Sequence, residues 1–193
     1  MARRRWFSFR PALTLRGRKF KGLRGFAGKP FHPPLTDVPI GAYVIATVLD
    51  VISWLKGDST VGEDLFRAAT YVMIAGAVVS LPTALTGFWD WWKSMTPGTQ
   101  AWRTANAHMA IMLTVTAIVI LNVIVRLGEF DDARSTSTFV AVLTVIIGGL
   151  VSVGATYGGS LVYDYEFNVE QDNGYVWEPS EEDRFPGQPG HPG

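Results

Sequence analysis

The sequence predicts an all-α integral membrane protein: a four-helix up-down bundle with a basic N-terminal arm and an acidic, extended C-terminal tail. Three observations carry that prediction. Hydrophobic residues make up 48% of the chain and charged residues only 18%, below the quarter usual in soluble domains. The charge deficit is concentrated in four long apolar stretches, each supplying the roughly 20 residues needed to cross ~30 Å of hydrocarbon. The connections between them are short, so consecutive spans are expected to be antiparallel neighbours.

Residues 1–34 form the arm, which interleaves base and aromatic: Arg3, Arg4, Arg5, Trp6, Phe7 and Phe9, then Arg18, Lys19, Phe20 and Lys21. No apolar run of seven follows these charges, so the arm does not read as a cleaved signal peptide. Arginine mixed with aromatics can bind single-stranded nucleic acid. An arm placed directly before a membrane span fits anionic lipid or a partner subunit better.

The transmembrane domain is expected over residues 35–165. Span one covers residues 37–55, with Pro39 tolerated in the first turn, where its missing N–H costs nothing. Span two covers residues 61–91, and Thr60-x-x-Glu63 offers a capping box at its start. Pro82 inside it frees the carbonyl of Val78 and is expected to kink the helix. Spans three and four cover residues 104–127 and 138–163. Span two ends in Trp89-Asp90-Trp91, with Trp92 opening the connection to span three, followed by a turn at Pro97-Gly98. Trp and Tyr settle at headgroup depth because each ring has an apolar body and a polar edge. Residues 166–193 form the tail, which is acidic and rich in Gly and Pro. It is expected to gain order only on a partner.

Basic residues set the orientation. The side holding the N-terminus collects thirteen Lys or Arg, the other side only Lys56, Arg67, Arg126 and Arg134. The positive-inside rule then places both termini in the cytoplasm, here of a bacterial inner membrane. Small residues mark packing faces: Gly154-x-x-x-Gly158 with Gly148, Ser152 and Gly159 in span four, and Gly76, Ser80, Ala84 and Gly87 in span two. Such stripes let helix backbones approach closely, first within the bundle and alternatively in a homo-oligomer.

The chain has no cysteine. That removes disulfides, thiolate nucleophiles, Cys-ligated zinc and iron–sulfur clusters. It also lacks a phosphate-binding glycine loop, HExxH and GxSxG, so hydrolytic and nucleotide chemistry have no support and the chain does not read as an enzyme.

Polar residues inside apolar runs are the remaining candidates. Asp50 lies near the far end of span one; Asn122 and Arg126 lie one turn apart near the same end of span three. An acid in hydrocarbon costs ~2.5–3.5 kcal/mol on insertion scales, so the expectation is a structural polar lock of Asp50 with Arg126, assisted by Asn122. At the other end, His32 and His108 fall on the same side as Asp90 and Asp164. Neutral imidazoles there could ligate haem, oriented by those carboxylates. Each could equally be a single interfacial residue. His32 to Asp90 and His108 to Asp164 also bracket two similar hairpins, ending in Trp89-Asp90-Trp91 and Tyr163-Asp164-Tyr165. A duplication about an axis along the membrane normal would produce this match. So would chance, since these residue types are common at interfaces.

Several segments together resemble the domain-of-unknown-function 2231 family of bacterial membrane domains. They are Gly28-Lys29-Pro30-Phe31-His32-Pro33, Asp37-Val38-Pro39-Ile40-Gly41, Asp50, Thr86-Gly87-Phe88-Trp89-Asp90-Trp91, His108 and Gly158-Gly159-Ser160-Leu161-Val162-Tyr163. The likeness covers residues 28–169. It implies a four-helix membrane bundle and, through the Rieske-type domains that often accompany the family, a redox setting. Where the family usually reads Gly-His-Pro-x-His-Pro, this chain has Lys29 in place of the first His; where many members read Gly-Gly-His, it has Ser160. The family's four histidines are thus halved.

Two functional expectations follow. One is a non-catalytic accessory subunit of a larger bacterial membrane complex, respiratory or photosynthetic in type, without a cofactor and gripping other subunits through arm and tail. The alternative is a b-type cytochrome-like electron carrier binding one haem b through His32 and His108. An ion or proton transporter, a third possibility, has only Asp50 behind it.

Overall fold

The structure, a computed structural model, describes Leu23 and residues 30–167. The arm apart from Leu23 and residues 30–34, the tail beyond residue 167, and Lys29 lie outside the described residues. Four helices make up the rest: α1 (His32–Lys56), α2 (Thr60–Ser94), α3 (Gln100–Glu129) and α4 (Thr138–Tyr163). All four are long and apolar enough to cross a membrane. At ~1.5 Å per residue, α2 is about 50 Å long and overshoots the hydrocarbon.

The helices run past the expected spans where the local chemistry allows. α1 begins at His32 rather than in the thirties' second half, because Pro33 and Pro34 sit in the first turn, where no N–H is needed. His32 is therefore a helical residue, not a loop residue. The α2 cap is also shifted. Ser59 Oγ accepts the Gly62 N–H at 3.0 Å, while Glu63, expected in a Thr60 capping box, instead pairs with Arg67 and Arg134. Thr99 and Ser137 cap α3 and α4 in the same manner. Gly98, with φ of 83°, takes the left-handed turn after Pro97 that L side chains rarely adopt. α2 continues unbroken through Pro82.

Each helix packs on its two sequence neighbours around a ring, with α4 closing against α1; among the described residues the diagonal pairs α1/α3 and α2/α4 do not approach at the backbone. Tyr43, Ala46, Met73, Val115, Val119, Ile147 and Val151 form the central core. Part of each small-residue face is used inside this one chain: a Cβ would come within 2.6–2.8 Å of a side chain at Gly76 (Tyr43), Gly148 (Thr47) and Gly154 (Met112), and within 3.1 Å at Gly158 (His108), while Ala84 and Ser152 are exposed.

Four of the five buried residues of α1, Pro39, Tyr43, Ala46 and Asp50, correspond to buried Val115, Val119, Asn122 and Arg126 of α3, each 76 residues on; the fifth, Ser53, has no buried counterpart. His32 and His108 stand at the same interval.

Candidate functional site

His32 opens α1 and His108 lies in the first third of α3, so diagonal helices present both imidazoles at one end of the bundle. Each ring rests on the even-numbered helix beside it. His32 Nδ1 is 3.0 Å from the Thr83 carbonyl oxygen and His108 Nδ1 is 2.8 Å from that of Gly154. A carbonyl only accepts, so each Nδ1 carries the proton and donates it. In a neutral ring Nε2 is then an unprotonated lone pair. Neither Nε2 has a hydrogen-bond partner among the described residues.

One turn beyond each carbonyl is a glycine on which the ring lies. A Cβ on Gly87 would stand 2.6 Å from His32 Cε1, and one on Gly158 would stand 3.1 Å from His108 Cε1. The pattern of carbonyl, then glycine four residues later, then imidazole occurs once in each hairpin.

The acids expected to orient the histidines do not do so; backbone carbonyls do. Asp90 is buried and accepts the Leu23 backbone N–H at 2.9 Å. Asp164 is exposed at the end of α4. The apparent match of Trp89-Asp90-Trp91 with Tyr163-Asp164-Tyr165 is thus not the structural repeat. The carbonyl and glycine positions recur 71 residues on (83 to 154, 87 to 158), whereas the triplets are 74 apart and fall three residues out of register. Trp89 lies under the Lys93 ammonium at 5.2 Å, Trp91 Nε1 donates to Asn106 Oδ1 at 2.9 Å, and Tyr163 and Tyr165 are exposed.

The opposite end of the bundle brings Asp50, Asn122 and Arg126 together, all fully buried. Arg126 Nη2 donates to Asp50 Oδ2 and, at 3.2 Å, to Thr144 Oγ1. Its Nη1 donates to Thr70 Oγ1 at 3.3 Å, and its Nε to Asn122 Oδ1. Asn122 Nδ2 donates to Thr144 Oγ1 at 3.2 Å. Thr136 Oγ1 donates to Asp50 Oδ1 at 2.9 Å, and the guanidinium stacks over Phe66. Sequence reasoning missed Thr70, Thr136 and Thr144. Thr70 and Thr144 showed only a hydroxyl on an apolar helix, the ordinary state of threonine bonded to its own helix, and Thr136 only a polar residue in the connection between α3 and α4.

The donor set bears on what the histidines could hold. No group of three or more His, Cys, Asp or Glu side chains converges among the described residues. A lone zinc or copper(II) ion, which wants about four protein or water ligands, is poorly served. A metalloporphyrin brings four equatorial nitrogens of its own and asks the protein for two axial ones. Two neutral imidazoles on facing helices of a bundle fit that demand.

Residues 28–171 match the model of a family described as predicted membrane protein, DUF2231. No curated protein and no solved structure matches the chain.

Proposed function

This chain belongs to the DUF2231 family of predicted membrane proteins, and we propose that it is a non-catalytic, b-type cytochrome-like subunit holding one haem between His32 and His108. The observation that carries the reading is the pair of imidazoles with Nδ1 committed and Nε2 left open. An Nδ1–H bonded to a carbonyl fixes the tautomer and ring orientation and makes Nε2 more basic, which is how proteins commonly prepare a histidine ligand. When bound, the haem supplies one-electron chemistry. His32 and His108 would hold it through Nε2, with each ring oriented by its Nδ1–H bond to a backbone carbonyl. The basic arm sequence and Lys93 at this end support a site on the cytoplasmic side of a bacterial inner membrane by the positive-inside rule. A single haem at one face cannot pass electrons across the bilayer alone, so the reading includes a neighbouring subunit as electron partner.

The test is an absorption spectrum of protein gently solubilised from its native membrane, with and without dithionite. A reduced α-band of b type, lost in both His32→Ala and His108→Ala, is the expected result. A featureless spectrum would return the chain to a cofactor-free accessory subunit, to be defined by what co-purifies with it.

A further inference from the structure

Asp90 is the second acid that the bundle buries, and it is treated unlike the first. It is 3% exposed and sits about one turn beyond Thr86 and Gly87, the α2 residues nearest the His32 ring, or ~5 Å along the helix. Its carboxylate accepts one hydrogen bond, from the Leu23 N–H, and no cationic side chain pairs with it among the described residues. The other charged or titratable groups at this end are committed elsewhere or face water. Lys93 lies over the Trp89 and Trp92 rings, and Arg103 bonds Gln100. Asp37, Asp164 and Glu166 are exposed. His32 and His108 donate to carbonyls. From the arm, Leu23 N–H reaches Asp90, and among the described residues α4 offers it no charge.

A buried carboxylate without a cation or a full set of donors is held at a cost, and such groups change protonation readily when the charge nearby changes. We propose that Asp90 takes up a proton when an electron arrives between His32 and His108, coupling the redox step to proton uptake on the same side of the membrane. The proposal rests on the haem reading above. The step balances simply. A one-electron donor, the partner subunit or dithionite in the test, adds one negative charge at the imidazole pair. One proton from water at that end forms an O–H bond on Asp90, and the buried end keeps its net charge. Reoxidation releases both. The Leu23 N–H can bond either form, through a carboxylate oxygen or the carbonyl oxygen of the acid, so the arm stays attached throughout.

The experiment is a redox titration of the full chain in detergent between pH 5 and 9, followed by the haem band. One proton per electron is a tenfold change in equilibrium per pH unit, or about 59 mV for a one-electron couple. Wild type is expected to show a falling midpoint potential approaching that slope over part of the range. Asp90→Asn, which mimics the protonated acid, is expected to have a higher, pH-independent midpoint with an unchanged spectrum. Asp90→Glu keeps the acid, should retain the slope, and covers the case in which the Asn variant folds poorly. A reduced-minus-oxidised infrared difference spectrum should show a carboxylic acid C=O band that Asp90→Asn lacks. A pH-independent wild type with an intact haem band overturns the role of Asp90 alone. So does a slope that survives in Asp90→Asn. Absence of any haem band overturns both this proposal and the reading beneath it.

Discussion

The two ends of the bundle place pairs of residues at equivalent positions of α1 and α3 and treat them in opposite ways. At one end the pair is Asp50 and Arg126; at the other it is His32 and His108, each 76 residues apart. Unlike charges satisfy one another. Each nitrogen of the Arg126 guanidinium and both Asp50 oxygens find partners, so that end is closed. Like groups cannot do this. Two imidazoles that have each spent their Nδ1–H on a carbonyl present two lone pairs, and two lone pairs do not bond without an electrophile between them. The closed end is therefore expected to hold the structure and the open end to take something from outside.

The largest effect should come from breaking the closed end. Asp50→Asn or Arg126→Gln alone leaves a buried charge without its counter-ion, a loss of about 3–5 kcal/mol, read as a fall in thermal unfolding temperature in detergent. Combining Asp50→Arg with Arg126→Asp should recover part of it, because the exchange restores an ion pair between the same two buried positions. Single variants as stable as wild type would mean that the network is ornamental and the comparison of ends is wrong.

The next effect belongs to the open end. Gly87→Ala puts a methyl 2.6 Å from His32 Cε1 and 3.0 Å from both ring nitrogens, so the ring must move off Thr83. Overpacking of this kind costs about 1–3 kcal/mol. The sharper readout is the haem band, which should fall as far as in His32→Ala. The Asp50 variants provide the contrast: whatever fraction of them stays folded should keep the band. A Gly87→Ala protein with a wild-type spectrum would separate the ledge on α2 from ligand placement.

How much of this was legible in the sequence differs between the two ends for a physical reason. Four spans could be read because ~20 apolar residues have few other uses, and the pairing of Asp50 with Arg126 could be read because an ion in hydrocarbon needs a counter-ion. His32 and His108 stood out as isolated imidazoles. Their real partners did not, since a backbone carbonyl has no letter in the sequence, and Asp90 and Asp164 were the visible acids nearby. The helix starts were misplaced where Pro33 and Pro34 look like breakers yet suit a first turn, and where Ser59 outcompetes Thr60 as the cap. The likeness of the two hairpins was sought in aromatic and acidic residues that the interface favours for its own reasons. The positions that do correspond are four buried residues of α1 and α3 at one interval and a glycine one turn beyond each bonded carbonyl.

The smallest effect tests that correspondence most directly. Gly158→Ala is the counterpart of Gly87→Ala, but its Cβ would meet His108 Cε1 at 3.1 Å and Nδ1 at 3.4 Å, close rather than overlapping. A shift of a few tenths of an ångström by the ring would accommodate it. Alanine also gains up to about 1 kcal/mol over glycine as a helix former, which offsets much of the crowding, so unfolding temperature should stay within a degree or two of wild type. The hydrogen bond to Gly154 should lengthen while His108 stays in place. The expected outcome is a haem band that is retained but displaced in wavelength or midpoint, against its loss in Gly87→Ala. Equal effects of the two substitutions would show that the hairpins hold their histidines alike despite the different clearances. No effect at Gly158 on either spectrum or potential would show that only α1 and α2 position the site, and that the second hairpin merely resembles the first.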